Sequence, residues 1–95
     1  MPQTGQTVLA HYSGWIYEDG QKGDLFDRSR GNPFDFVLGT GQVIRGWDEA
    51  FANMRPGAKR ILIIPPDLAY GRSGAPGLIP PNATLWFEVE FVGTR

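Results

Sequence analysis

Only one stretch of this chain of 95 residues has a clear helical period, and it constrains the fold more than any other feature. In residues 39–54, large apolar side chains recur at steps of three, four and three, and polar side chains occupy most positions between them. This spacing puts the apolar side chains on one face of a helix. They are Ile44, Trp47, Phe51 and Met54. The sequence therefore predicts one short amphipathic helix.

The entrance to this helix is unusual. The Gly-rich turn Gly39-Thr40-Gly41 comes where a polar N-cap is more common, and large apolar residues follow it. Such a turn places Val43, Ile44 and Trp47 at the edge of the core, where a ligand can reach them.

The rest of the chain predicts about five strands. Alternating side chains, or a continuous apolar run, indicate strands at residues 7–17, 25–29, 34–38, 58–64 and 84–91. Gly14 allows a bulge in the first strand, and residues 18–24 are predicted to form a hairpin loop. The fourth segment ends in four aliphatic residues and is predicted to be a central strand buried on both faces. An α+β fold follows, with one antiparallel sheet wrapped on one helix.

The composition excludes several classes of function. The chain has no cysteine and one histidine, so it offers no thiol nucleophile and no set of metal ligands with regular spacing. Nine basic and ten acidic residues give a formal charge of -1 without a basic cluster, which argues against nucleic-acid or membrane partners. We expect residues 1–95 to form a single domain that is monomeric, uses no metal or cofactor, and binds a neutral or apolar ligand.

The N-terminus bears on location. Residues 1–5 contain neither a basic segment nor an apolar run, which are the parts of a signal peptide. If Met1 is the native start, we expect a cytoplasmic protein, and otherwise the location is unknown from the sequence.

Two polar residues have structural explanations that compete with a function. His11 lies in the first predicted strand, where a histidine usually finds a hydrogen-bond partner. Asp27 directly follows Phe26 in a predicted strand, so it faces the other side unless a bulge or twist turns it inward. An ion pair with Arg28 or Arg30 is the competing explanation for Asp27.

The segment 67–83 is rich in glycine and proline, and a loop this long in a small domain is usually functional. Tyr70 lies in it and offers a hydroxyl donor beside an apolar body. Leu78 and Ile79 are aliphatic residues between prolines, and we expect them to be exposed on this loop.

Six runs of residues occur together and in order, and their combination is more specific than any one of them. They are His11-Tyr12-Ser13-Gly14, Phe26-Asp27-Arg28-Ser29, Pro33-Phe34-Asp35-Phe36-Val37-Leu38-Gly39, Val43-Ile44-Arg45-Gly46-Trp47-Asp48, Ile64-Pro65-Pro66-Asp67-Leu68-Ala69-Tyr70-Gly71 and Ile79-Pro80-Pro81-Asn82-Ala83-Thr84-Leu85. With them the chain resembles the FKBP family, macrolide-binding immunophilins that are peptidyl-prolyl cis-trans isomerases, along essentially its whole length.

The resemblance implies an antiparallel five-stranded half-barrel around one short helix, with the usual N-terminal strand shortened or missing. It also implies a pocket with the indole of Trp47 as its floor. The implied catalytic residues are Asp27, Tyr70, Phe26, Trp47 and Phe87. The implied binding residues are Tyr12, Phe34, Val43, Ile44, Leu78 and Ile79. In the family, the N–H at the position of Ile44 and the hydroxyl at that of Tyr70 donate to ligand carbonyls.

The implied function is isomerisation of X-Pro bonds in protein chains, with proline-containing polypeptides as partners. Family relatives also bind tacrolimus and rapamycin in this pocket. The turn after Asp27 is shorter than in the best-known members, and Arg30 is the expected substitute for their basic partner of the aspartate. Gln42 stands where an acid is common, and Ala75 where a larger residue often contacts macrolides.

Two other functions stay open at this point. One is a binding module of the same fold with weak catalysis, which holds a macrolide, or a partner protein through the pocket rim and the loop around Arg72 and Ser73. The other is a purely structural scaffold, which is disfavoured because it gives no reason for exposing Tyr70, Leu78 and Ile79.

Overall fold

The computed structural model describes residues 1–95, which form one sheet and one α-helix. In chain order the elements are β1 (Thr7–Glu18), β2 (Gln21–Arg28), β3 (Phe34–Val37), α1 (Arg45–Phe51), β4 (Lys59–Ile64) and β5 (Leu85–Thr94), with a 3-10 turn at Pro66–Leu68. All strand pairs are antiparallel. The predicted α+β fold is confirmed. The helix lacks the length that a membrane span requires.

The strands lie in the order β2, β1, β5, β4, and β3 pairs with the same edge of β1 as β2 does. β3 pairs with residues 7–10 of β1 and β2 with residues 13–18, so a gap in the edge falls between them. There Ser29 takes the place of a strand partner. Its N–H donates to the Tyr12 carbonyl at 2.9 Å, and its Oγ accepts the Tyr12 N–H at 3.0 Å. The backbone that carries Tyr12 is therefore fixed at the gap.

The core lies between the inner face of the sheet and α1. Alternate residues of β5 are buried, as the sequence predicted, and so are the helical residues Trp47 and Phe51. Gly46 allows the helix to approach the sheet closely, because a Cβ at this position would lie 2.6 Å from the Ile64 side chain. The predicted apolar face of the helix is thus confirmed.

The helix itself is shorter than the stretch of sequence in which apolar residues recur at helical spacing. It begins at Arg45, preceded by Ile44 in an extended conformation with no side-chain cap, and it ends at Phe51. Met54 lies in the following turn but is fully buried. Val43 and Ile44 are partly buried at the edge of the core, where the sequence placed them.

Two predictions about strands are wrong. The hairpin loop is not residues 18–24: β1 and β2 continue to a turn at Asp19 and Gly20, which both have positive φ (48° and 84°). That geometry is typical of the tight two-residue hairpin, which needs no longer loop.

The apolar segment ending at Ile64 is likewise not a central strand. β4 pairs only with β5 and is an edge strand, and its outer-face residues Ile61 and Ile63 are 58% and 46% exposed. Burial on both faces needs cover on both faces, and here α1 covers only one.

Candidate functional site

An apolar cavity of about 480 Å³ opens at the end of the core, between β1, β2, β5 and the entrance to α1. Nine of the eleven predicted site residues line it, namely Tyr12, Phe26, Asp27, Phe34, Val43, Ile44, Trp47, Tyr70 and Phe87. The sequence did not single out Gly41 and Ala69 as lining residues, and it noted Gln42 only as a departure from the family pattern. Small loop residues of this kind give no signal in a single sequence.

The floor of the cavity is the indole of Trp47, which is 4% exposed. Three aromatic rings stand nearly perpendicular to it, with centroid distances of 5.0 Å for Tyr12, 5.3 Å for Phe87 and 6.1 Å for Phe34. Edge-to-face contacts of this kind hold ring orientations that plain apolar packing leaves free. The indole N–H has no hydrogen-bond partner in the protein. The result is a recess walled by aromatic rings.

A bulge in β2 turns two consecutive side chains into this recess. Gly14 of β1 pairs with Asp27 and Trp15 pairs with Leu25, so Phe26 is the extra residue. A strand without a bulge would send Phe26 and Asp27 to opposite faces. The sequence named a bulge or a twist as the condition for Asp27 to face inward. The bulge lies in β2, opposite Gly14, and not in β1, where Gly14 was expected to allow one.

Asp27 supplies the only charged side chain of the lining. Its Oδ2 accepts the Tyr12 hydroxyl at 2.7 Å, and its Oδ1 accepts the Arg28 backbone N–H at 2.8 Å. The three ion pairs of the fold lie elsewhere, so the expected pairing with Arg28 or Arg30 is wrong. Tyr12 and a local backbone N–H satisfy the carboxylate without a cation.

Two tyrosines stay protonated beside this carboxylate. Burial raises the pKa of Tyr12 far above its ordinary value of 10.0, and the hydrogen bond to Asp27 and the Asp27 charge raise it further. Burial, and then the charge of Asp27, also raise the pKa of Tyr70. Both hydroxyls are therefore hydrogen-bond donors through neutral and mildly alkaline pH.

Two donor groups of the lining residues have no hydrogen-bond partner in the protein. Tyr70 follows the 3-10 turn and is 42% exposed, and its hydroxyl makes no hydrogen bond to the protein. The backbone N–H of Ile44 also makes no hydrogen bond, because the first turn of α1 begins only after it. Both groups are therefore free to donate to a ligand carbonyl.

Leu78 and Ile79 do not line the cavity. Ile79 is 3% exposed and belongs to the core, so its predicted exposure is wrong. Its N–H donates to the Ala75 carbonyl at 2.7 Å, and its carbonyl accepts the Ala75 N–H at 2.8 Å. This tight turn folds Ile79 inward and leaves Leu78, 53% exposed, beside a separate shallow depression.

The outer face of the sheet has a larger cleft of about 690 Å³, and most of the residues that line it are polar. His11 lies there, and its Nδ1 is 3.0 Å from the Ser29 hydroxyl, which gives the histidine the structural role expected from its position. No three histidine, aspartate or glutamate side chains of the chain come together as metal ligands. The aromatic recess is therefore the candidate site.

The sequence matches the family described as FKBP-type peptidyl-prolyl cis-trans isomerase over residues 1–92. It is 55% identical over 92 residues to the FK506-binding protein 1 of Gibberella zeae, covering 94% of this chain and 82% of the relative. It is 50% identical over 91 residues to the peptidyl-prolyl cis-trans isomerase Fkbp12 of Drosophila melanogaster, covering 96% and 82%. An FK506-binding protein of Neisseria meningitidis serogroup C is 52% identical over 90 residues, covering 93% and 79%. The chain belongs to the FKBP-type peptidyl-prolyl cis-trans isomerases.

Proposed function

We propose that the aromatic recess binds an X-Pro segment of a protein chain and accelerates its cis-trans isomerisation. The observation that carries this proposal is the enclosure of one apolar recess by Tyr12, Phe34 and Phe87 around Trp47, with a single carboxylate at its side. A proline ring is apolar and compact, so it fits such a recess, and the isomerisation of its amide needs no nucleophile.

The physical basis is the change in polarity along the reaction. Twisting an amide crosses a barrier of about 18–20 kcal/mol and removes its resonance, and with it much of its charge separation. Water favours the planar, more polar amide, whereas aromatic walls favour the twisted one. Each selective gain of about 1.4 kcal/mol raises the rate about tenfold.

The proposed catalytic roles follow from position. Trp47, Phe26, Phe87 and Ile44 hold the proline ring, and Tyr70 orients a substrate carbonyl through its free hydroxyl. Asp27 acts on the electrostatics of the twisting amide, and the Tyr12 hydroxyl fixes the direction of its carboxylate.

The remaining lining residues are proposed to bind substrate outside the proline ring. Tyr12, Phe34 and Val43 provide apolar contacts, and the N–H of Ile44 donates to a second carbonyl. Leu78 and Ile79 are left out of the proposed site, because neither lines the cavity.

The test is NMR exchange spectroscopy on an X-Pro tetrapeptide with catalytic amounts of the protein. We expect cis-trans exchange well above the uncatalysed rate, and a loss in Asp27→Val and Tyr70→Phe. Tyr17→Phe, which changes a tyrosine outside the recess, serves as the matched control. Exchange at the uncatalysed rate with the wild-type protein would contradict the proposal.

A second proposal is that the same recess binds macrolides of the tacrolimus and rapamycin type. The names of the Gibberella and Neisseria relatives support it. Rapamycin should then inhibit the isomerase activity in proportion to occupancy of the recess. A partner protein that still binds after Asp27→Val and Tyr70→Phe would instead favour a binding module. Cytoplasmic location and a monomeric state stay predictions, to be checked by cell fractionation and light scattering.

A further inference from the structure

The loop between β3 and α1 forms one wall of the recess, and we call residues 38–43 the wall loop. Three of its residues, Gly41, Gln42 and Val43, line the cavity. Two side chains of the loop close its base on Val37. The Thr40 hydroxyl donates to the Val37 carbonyl at 2.8 Å, and the Gln42 Oε1 accepts the Val37 N–H at 2.9 Å. Neither contact reaches the floor of the recess.

Asp48 connects the wall loop to the helix. Its Oδ1 accepts the Gly39 N–H at 2.9 Å, and its Oδ2 accepts the Gly41 N–H at 3.2 Å. Both glycines have positive φ (78° and 76°), a conformation that turns the chain so that these two N–H groups converge on one carboxylate. Hydrogen bonds to a charged acceptor are roughly twice as strong as neutral ones.

The contact between Asp48 and the wall loop matters because of where Asp48 lies in the helix. Asp48 directly follows Trp47 in α1, so one helical turn carries both the floor of the recess and the clamp on its wall. Asp48 does not line the cavity and takes part in none of the three ion pairs. Both of its oxygens are used on the wall loop.

We propose that Asp48 is a positioning residue for isomerisation. By holding Gly39 and Gly41, it fixes the wall loop at a set distance from Trp47, and so places Val43 and the Ile44 N–H against the bound X-Pro segment. This proposal rests on the proposed function of the recess. It assigns the action of Asp48 to the loop backbone, without any contact between Asp48 and substrate.

The first test is kcat/KM for an X-Pro peptide in Asp48→Asn. Asparagine keeps the shape of the side chain but replaces one acceptor oxygen with an NH2 donor, so one of the two N–H groups then faces a donor. A displacement of about 1 Å in the position of a bound substrate can lower the rate on the order of 100-fold. Because one of the two hydrogen bonds to the wall loop remains, we expect a smaller effect, a fall in kcat/KM of roughly tenfold. Asp48→Glu, which restores two acceptors, should recover part of the loss.

Glu49→Gln is the matched control. It removes the same charge from the next residue of the helix, where the exposed Glu49 carboxylate accepts a hydrogen bond from Arg45 and makes none to the wall loop. Its kcat/KM should equal that of the wild type.

Amide hydrogen exchange, measured by NMR, gives a readout that does not depend on activity. In Asp48→Asn, the Gly39 and Gly41 amides should exchange at least tenfold faster, while core amides such as that of Phe87 stay unchanged. Faster exchange of all amides would overturn the proposal, because Asp48 would then serve only stability. An active wild type with an equally active Asp48→Asn overturns this proposal alone. An inactive wild type overturns the proposed function and this proposal with it.

Discussion

At the scale of single residues, the recess depends on a position without a side chain. Gly14 lies opposite the β2 bulge, and a Cβ there would be 2.7 Å from both Phe26 Cζ and Phe87 Cε1. Gly14→Ala must displace both rings. Overpacking of this kind costs about 1–3 kcal/mol. If the displaced rings also weaken binding of the twisted amide by about 1.4 kcal/mol, kcat/KM for an X-Pro peptide falls about tenfold.

The control for this change is Gly93→Ala. Gly93 also lies in a strand, but a Cβ there meets nothing within 4 Å. Its kcat/KM should match the wild type. Equal activity of Gly14→Ala and Gly93→Ala would show that the close approach of the two rings is not needed.

Two aromatic residues of α1 allow the contribution of the recess floor to be measured separately from that of the core. Trp47 and Phe51 are both buried and touch each other at 5.3 Å between ring centroids, but only Trp47 lines the recess. Trp47→Leu and Phe51→Leu should each lower the free energy of unfolding by about 1–3 kcal/mol. Only Trp47→Leu should raise the Kd of an X-Pro peptide tenfold or more, as measured by NMR titration. Similar losses of affinity in both variants would make Trp47 a core residue only.

Single residues also show where the sequence was sufficient. Trp47, Phe87 and Tyr70 could be predicted, because large aromatic residues at strand, helix and loop positions matched a family pattern. The inward direction of Asp27 depended on a bulge that the sequence allowed but could not locate. Ile79 was misplaced because two backbone hydrogen bonds to Ala75, which leave no trace in composition, fold it into the core.

At the scale of elements, β4 carries apolar residues on its exposed face as well as on its buried face. Ile61 and Ile63 point to the outer side of an edge strand, whereas Ile64 is 4% exposed. Ile61→Thr and Ile63→Thr should therefore change the free energy of unfolding by no more than about 0.5 kcal/mol. Ile64→Thr, the same substitution on the buried face, should cost about 2 kcal/mol.

Urea denaturation of the three variants is the measurement. Exposed apolar edge strands promote association, so the first two changes should also raise solubility. A cost at Ile61 or Ile63 as large as that at Ile64 would mean that the outer face of β4 is covered in solution.

The elements that could be predicted share a regular period. Apolar residues alternate along β5 and recur at helical spacing in α1, so the face that packs on the core could be predicted for both elements. A continuous apolar run gives no such information, because it is compatible with a central strand and with an edge strand alike. The hairpin was predicted too long because Lys22 and Gly23, read as loop residues, continue a strand up to a two-residue turn.

At the scale of the whole molecule, the order of the strands was beyond the sequence. Their pairing depends on contacts between distant segments, and where β2 and β3 share one edge of β1, Ser29 bridges the gap between them. Ser29 holds the backbone of Tyr12, and the Tyr12 hydroxyl donates to Asp27. The same residue, Tyr12, therefore takes part in the pairing of the sheet and in the lining of the recess.

Because burial and the charge of Asp27 act on two tyrosine hydroxyls in the folded chain, the stability of the whole fold should depend on pH. Tyr12 and Tyr70 have pKa values raised above the ordinary 10.0, so above about pH 10 the folded chain keeps protons that the unfolded chain has lost. Stability falls as pH rises wherever the folded state binds more protons. The stabilisation is complete below pH 10 and is lost progressively above it. One such group changes the free energy of unfolding by at most about 1.4 kcal/mol per pH unit, and solvent screening makes the share of both partly exposed tyrosines smaller.

Urea denaturation of wild type and Tyr12→Phe at pH 7, 9, 10 and 11 measures this effect, because the other titrating groups are common to both proteins. Tyr12→Phe should start less stable, having lost the hydrogen bond to Asp27, and its free energy of unfolding should fall less steeply between pH 10 and 11. The gap between the two proteins should therefore narrow with rising pH. Parallel curves would mean that Tyr12 ionises as readily in the folded chain as in the unfolded one, and that its hydroxyl is not held by burial and Asp27.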